Sequence, residues 1–130
     1  MVQRVVYNSC FGGFGVKNDV VRWVRENRSR LEEEYDDTEV EQLAERTLPG
    51  EMYPDGSGPR DERSDYIGDL YIDRDNELLA HIVSGQSEYT GRVNGRHSSL
   101  YVAEVPDDVK WTIDRYDGRE RVEEKSRTFS

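Results

Sequence analysis

Asp117-Gly118 restricts this chain more than any other pair of residues. Asp-Gly takes up the left-handed backbone angles of a two-residue hairpin turn at little cost, and the segments on both sides have strand character. Ahead of it, Lys110 to Tyr116 alternates, with Trp111, Ile113 and Arg115 on one face and Thr112, Asp114 and Tyr116 on the other. After it, Arg119 to Lys125 returns antiparallel. Its one apolar residue is Val122, so this strand belongs at an edge or over a charged groove. Leu100 to Val105 reads as a further strand, ended by Pro106, with Asp107 and Asp108 in the turn.

The rest of the chain has to supply a core for that hairpin. Val2 to Ser9 is β-branched and aromatic-rich and reads as a strand, and Cys10 then leads into the glycine-rich run Phe11 to Gly15. A helix follows over 18–31, capped by Asn18 or Asp19, with Val20, Trp23, Val24, Asn27 and Leu31 at helical spacing. Val40, Leu43, Ala44 and Leu48 suggest a second amphipathic turn or two. Residues 49–64 hold three of the four prolines and three glycines and read as an exposed loop. Asp65 to Asp73 has the look of a short strand with a glycine irregularity. Asp75 is placed to cap a helix through Leu78, Leu79, Ile82 and Val83, which Gly85 stops. The expected fold is a single α+β domain over 1–130. A small mixed sheet, built from the N-terminal strand, the central strand and the C-terminal β-hairpin, is covered by two or three helices, chiefly 18–31 and 76–84.

Composition limits the functions open to such a domain. Apolar residues make up 34% of the chain and charged residues 35%, so the core is small and the surface heavily solvated. The net charge is −10, and nine acids against Arg28 and Arg30 in the acidic segment 26–45 carry −7 of it. Direct nucleic-acid binding, which needs a cationic face, is disfavoured. Of 18 basic residues only Lys17, Lys110 and Lys125 are lysine, a balance that suits a GC-rich genome and, with the acid excess, a high-salt cytoplasm. With no run of about 18 apolar residues and no signal-peptide pattern, a soluble intracellular protein away from membranes is expected. Cys10 is the one cysteine, so no internal disulfide forms, and a core thiol is favoured over a reactive one.

Two stretches carry a resemblance. The first is Cys10-Phe11-Gly12-Gly13-Phe14-Gly15-Val16-Lys17. The second runs from Val105-Pro106-Asp107-Asp108-Val109-Lys110-Trp111 through Ile113, Tyr116-Asp117-Gly118, Glu120 and Val122-Glu123-Glu124-Lys125 to Arg127-Thr128. They resemble the CYGGFGLS-like loop and the IPDDVEWEIDEYDGxEWVEExHRTW-like ending of a family of small, uncharacterised proteins encoded mainly by tailed phages and their prophages. Arg74-Asp75 ahead of the central helix is also similar, and the three stretches cover roughly half the chain. Lys17 stands where that family has a capping serine, Arg121 and Phe129 where it has tryptophan, and Ser126 where it has histidine. The missing histidine argues against a His-dependent enzyme. The resemblance implies a viral accessory gene, from a tailed phage or an archaeal virus, acting in the host cytoplasm or carried in the virion.

Several groups of residues have the makings of a site. A strand, glycine loop and helix can cradle an anion on backbone N–H groups, with Lys17 adding a charge at the mouth. The competing account is a tight turn that lets the helix pack on the sheet while Phe11 and Phe14 fill the core. Trp111, Tyr116, Glu120 and Arg127 could line a groove for a flat ligand, or simply pair across strands. Cys10 as a nucleophile would need His81 or His97, and those two histidines make a poor metal site. The acidic segment could imitate nucleic-acid phosphates, although a solvated helix face is the more ordinary reading. No cofactor or metal motif is present, and no catalytic residue stands out. The expected contact surface is therefore Cys10, Phe11, Gly12, Gly13, Phe14, Gly15 and Lys17 together with Arg74, Asp75, Trp111, Tyr116, Glu120 and Arg127. Its expected partner is a small anionic ligand or a host protein, and association with further copies of the chain stays open. The alternatives are a minor capsid or tail protein and a small nucleotide-acting hydrolase or transferase.

Overall fold

A computed structural model describes residues 2–10, 14–67, 72–95, 98–116 and 119–125, without the side chains of Tyr116 and Lys125. In chain order the elements are strands β1 (Val2–Asn8) and β2 (Val16–Lys17), helices α1 (Asn18–Glu26), α2 (Arg28–Glu34) and α3 (Asp37–Ala44), strand β3 (Tyr66–Ile67), helix α4 (Glu77–Ser84), and strands β4 (Leu100–Pro106), β5 (Lys110–Tyr116) and β6 (Arg119–Lys125). The fold is α+β with a C-terminal hairpin. Among the described residues its strands pair as three two-stranded antiparallel ladders, β1 with β4, β2 with β3 and β5 with β6, and not as one mixed sheet. Of the expected central strand the described part is Tyr66–Ile67, which pairs with the two residues of β2.

The core lies between the β1–β4 ladder and the helices. Val6 and Leu100 from the ladder meet Val20 and Val24 of α1, Leu31 of α2, Val40 and Leu43 of α3, and Leu78, Leu79 and Ile82 of α4. Each of these side chains is nearly or fully buried, and burying one contributes about 1.5–3 kcal/mol relative to exposure. Trp23, on the expected stripe of α1, is half-buried and meets the Tyr89 ring edge-on at 5.6 Å. His97 and Arg96 lie outside the described residues, as do 68–71 of the central segment.

The helix expected over 18–31 is broken at Asn27, which sits at φ −110° and ψ 13° between α1 and α2. Its side-chain amide donates to the Trp23 carbonyl (2.8 Å) and its Oδ1 accepts from Arg30 (3.1 Å), so the side chain competes with the backbone ladder. Two capping assignments also move. Lys17 occupies the start of α1 without a side-chain cap, while Asn18 is buried and donates to the Ser64 carbonyl. Asn76, not Asp75, caps α4 by accepting from the Leu79 N–H (3.0 Å). The left-handed angles of Gly85 (φ 79°) end that helix.

The segment 49–64 is tied down at its base. Gly50 N–H donates to the Arg60 carbonyl and Arg60 N–H returns to the Glu51 carbonyl, giving a narrow hairpin-like turn. Arg25 grips it from α1 with a two-pronged pair to Glu51 (2.5 and 2.8 Å). Met52 to Ser57 stay exposed, but Arg60 is 7% exposed, the exception to the reading of this stretch as solvated loop.

Candidate functional site

β1 pairs with β4 along one edge only. Val6 and Asn8, two residues apart, turn their N–H groups off the other edge, where an unpaired strand would invite aggregation. Among the described residues no third strand covers them. The Val6 N–H instead donates to the Arg74 carbonyl (2.7 Å), and the Asn8 N–H donates to the Glu120 carboxylate (3.0 Å). The Arg74 guanidinium binds both oxygens of that carboxylate, through Nη1 to Oε1 and through Nη2 to Oε2 (2.9 Å). Arg115, opposite Glu120 in the hairpin register, adds its Nε (3.0 Å). The Arg74 guanidinium also lies over the ring of Phe14, 3.7 Å from its centre. Three stretches far apart in sequence, the Phe14 end of the glycine loop, the turn before α4 and the start of β6, are thus clasped on the free edge of β1.

Electrostatics decide the state of Glu120. Burial pushes its carboxyl up, yet the Arg74 hydrogen bonds, the Asn8 N–H and the charges of Arg74 and Arg115 outweigh burial and hold it below the ordinary carboxylate range. With side-chain exposures of 14% for Arg74 and 4% for Glu120, the pair is a buried one. Its charges are largely satisfied within the protein, so the clasp positions its surroundings. Beside it opens a cleft of about 430 Å³ lined by Ser9, Asp114, Arg119, Glu120 and Arg121.

The expected site residues divide around this clasp. Phe14, Arg74 and Glu120 are in it. Cys10 is adjacent and half-buried, held by reciprocal bonds between its backbone and the Asn8 side chain (both 3.2 Å); it is not part of the core cluster. The Gly15 carbonyl accepts from Ser98 Oγ (2.9 Å). Lys17 belongs to the β2–β3 ladder and faces Asp65 at 3.9 Å. Asp75 is exposed. Trp111 lies opposite Glu124, four rungs from Glu120 and so about 13 Å along the strand, and its indole donates to Gln3 Oε1 (3.3 Å). It lines a separate shallow cleft with Asp107 and Lys110, so Trp111 and Glu120 do not share one groove. Tyr116 is described by its backbone, opposite Arg119. Phe11, Gly12, Gly13 and Arg127 lie outside the described residues.

Asn8 and Arg115 belong to the clasp although neither is among the expected site residues. An asparagine in a β-branched strand was the available signal, since a buried polar residue there needs partners. His81, considered as a base, accepts or donates at Nδ1 with the Tyr35 hydroxyl (2.6 Å) and sits 3.4 Å from Glu77. Among the described residues, no group of three or more His, Cys, Asp or Glu side chains is placed to hold a metal ion, and no helix is long and apolar enough to cross a membrane.

Comparison with family models, with curated proteins and with solved structures finds no match.

Proposed function

We propose that this chain is a non-enzymatic viral accessory protein that binds a ligand or partner in the host cytoplasm, and that the cleft beside the Arg74–Glu120 clasp is its contact surface. The observation that carries this reading is the convergence of Phe14, Arg74 and Glu120. Each comes from a different one of the stretches that resemble the phage family; Arg74 joins Phe14 to Glu120, and Glu120 lines the 430 Å³ cleft. A buried and internally satisfied ion pair is a weak source of stability, and one use for it is to hold neighbouring groups in a fixed arrangement. Here the neighbours are Ser9, Asp114, Arg119 and Arg121, a polar lining that suits a ligand with both charge signs or a polar protein segment.

Native mass spectrometry tests this on the full chain purified gently from infected host cells, at low salt and again after denaturation. The reading expects an added mass that is retained natively, released on denaturation and reduced in a Ser9→Trp variant that fills the cleft. A bare chain in a symmetric oligomer, the same for wild type and variant, would overturn it and favour the virion-component alternative.

A further inference from the structure

A second cleft lies away from the clasp, where the turn 49–64 folds back over the end of α3. Its volume is about 600 Å³, and Arg46, Thr47, Tyr53, Arg60, Ser64 and Tyr66 are among its lining residues. That size is ordinary for a small-molecule site. Its two arginines are unusual in this chain. Elsewhere the acid excess is used to pair arginines, as Arg25 pairs with Glu51, Arg28 with Glu32 and Arg74 with Glu120. Arg60 is more deeply buried than the residues on either side of it, yet among the described residues its guanidinium hydrogen-bonds only to neutral oxygens: the Thr47 carbonyl (2.6 Å), Ser64 Oγ (2.9 Å) and the Tyr66 carbonyl. Arg46 Nε is buried without any hydrogen-bond partner among the described residues.

Buried guanidinium groups are normally matched by a carboxylate or another anion, because desolvating a charge without compensation is costly. The carboxylates that reach this cleft are engaged elsewhere. Glu45 pairs with Arg28 (3.2 Å) and Asp55 accepts from the Ser57 N–H (2.9 Å), while nearby Glu51 is held by Arg25. Burial lowers the pKa of Arg60 and the charge of nearby Glu51 offsets this only in part, although an arginine stays protonated at neutral pH. Hydroxyls of Thr47, Ser64 and Tyr53 add polar groups, and the rings of Tyr53 and Tyr66 add flat apolar faces.

We infer that this cleft binds a small organic phosphate, a phosphomonoester on a planar body, with Arg46 and Arg60 meeting the phosphate and Tyr53 and Tyr66 the body. Two guanidinium groups beside hydroxyls match the forked, multiply accepting geometry of a phosphate better than a single carboxylate. The inference is independent of the clasp and its cleft.

Titration of the isotopically labelled full chain with phenyl phosphate, followed by NMR at the backbone amides of Thr47, Arg60 and Ser64, tests it. The amides of Ser9 and Glu120 report on the other cleft in the same spectra. Saturable shifts at the first group, with affinity about tenfold above that of benzyl alcohol or inorganic phosphate, are expected. Arg46→Gln removes one charge-assisted contact and is expected to weaken binding about tenfold or more, with the amide spectrum otherwise preserved. If that change disturbs the fold, Tyr53→Leu, at a residue 39% exposed, carries the test, with a severalfold loss for phenyl phosphate and none for inorganic phosphate. No saturable shift, equal affinity for benzyl alcohol or for inorganic phosphate, or unchanged binding by the folded variants would overturn the inference.

Discussion

Arg74 and Arg60 are both arginines withdrawn from water in a chain of net charge −10, yet their surroundings differ in kind. Arg74 is matched by the Glu120 carboxylate, seconded by Arg115 and laid over Phe14. Arg60 is matched by carbonyl and hydroxyl oxygens alone. The first arrangement closes a strand edge and leaves little charge to offer. The second pins a turn and leaves a positive charge facing a cleft. Burial of a charge is therefore informative only together with what meets it.

The largest effect is expected at the clasp. Glu120→Ala strands the Arg74 guanidinium and the Asn8 N–H away from water, and breaking one side of a buried pair costs about 3–5 kcal/mol. Urea unfolding at neutral pH measures it, and a loss below about 1 kcal/mol would mean that the pair is solvated and the contrast with Arg60 fails.

Arg60→Met keeps the apolar stem and removes the head, so the Thr47 and Tyr66 carbonyls and Ser64 Oγ lose a donor while an uncompensated charge leaves the interior. The two changes oppose each other, and a loss of about 1–3 kcal/mol is expected, smaller than for Glu120→Ala. A loss as large as the clasp variant's would show that the two arginines are equally well compensated.

Acid distinguishes the ion-paired parts from the rest. Arg25 hydrogen bonds, with a backbone bond from Leu48, lower the Glu51 carboxyl from its ordinary 4.5 to about 2. A depressed carboxylate stabilises the fold fully above its unfolded value, and the gain is lost as pH falls through its folded value. Stability should thus fall between about pH 4.5 and 2, Glu120 contributing in the same direction. Glu51→Gln should make that fall shallower, as read from urea midpoints across the range. Because Glu51 is 43% exposed, solvent screening keeps its share modest.

The smallest effect is expected at Arg121, which lies on the same strand as Glu120 but is 71% exposed and pairs with Asp114 and Glu123 in water. Arg121→Ala should change stability by about 0.5 kcal/mol or less, measured as above, whereas a loss above 1 kcal/mol would place this pair with the clasp.

Much of the fold was legible locally. The bounds of β5 and β6 follow from the alternation around Asp117-Gly118, and the helical spacing of Leu78, Leu79 and Ile82 marks α4, because backbone geometry repeats over two to four residues. Errors came where one side chain redirects the backbone, as Asn27 does between α1 and α2, or where neighbours compete for one cap, as Asp75 and Asn76 do. Of the site, the sequence placed Phe14, Arg74 and Glu120 among thirteen candidate residues, through the stretches that contain them. It also determined the acid excess against which an unpaired arginine stands out. Only the tertiary structure decided that Glu120, in the charged run RERVEEK, is buried and that Arg60, in a Pro- and Gly-rich turn, faces a cleft. The reason is physical. Local periodicity fixes which face of an element a residue occupies, but the partner of a charge forty-six positions away is fixed by how the elements pack.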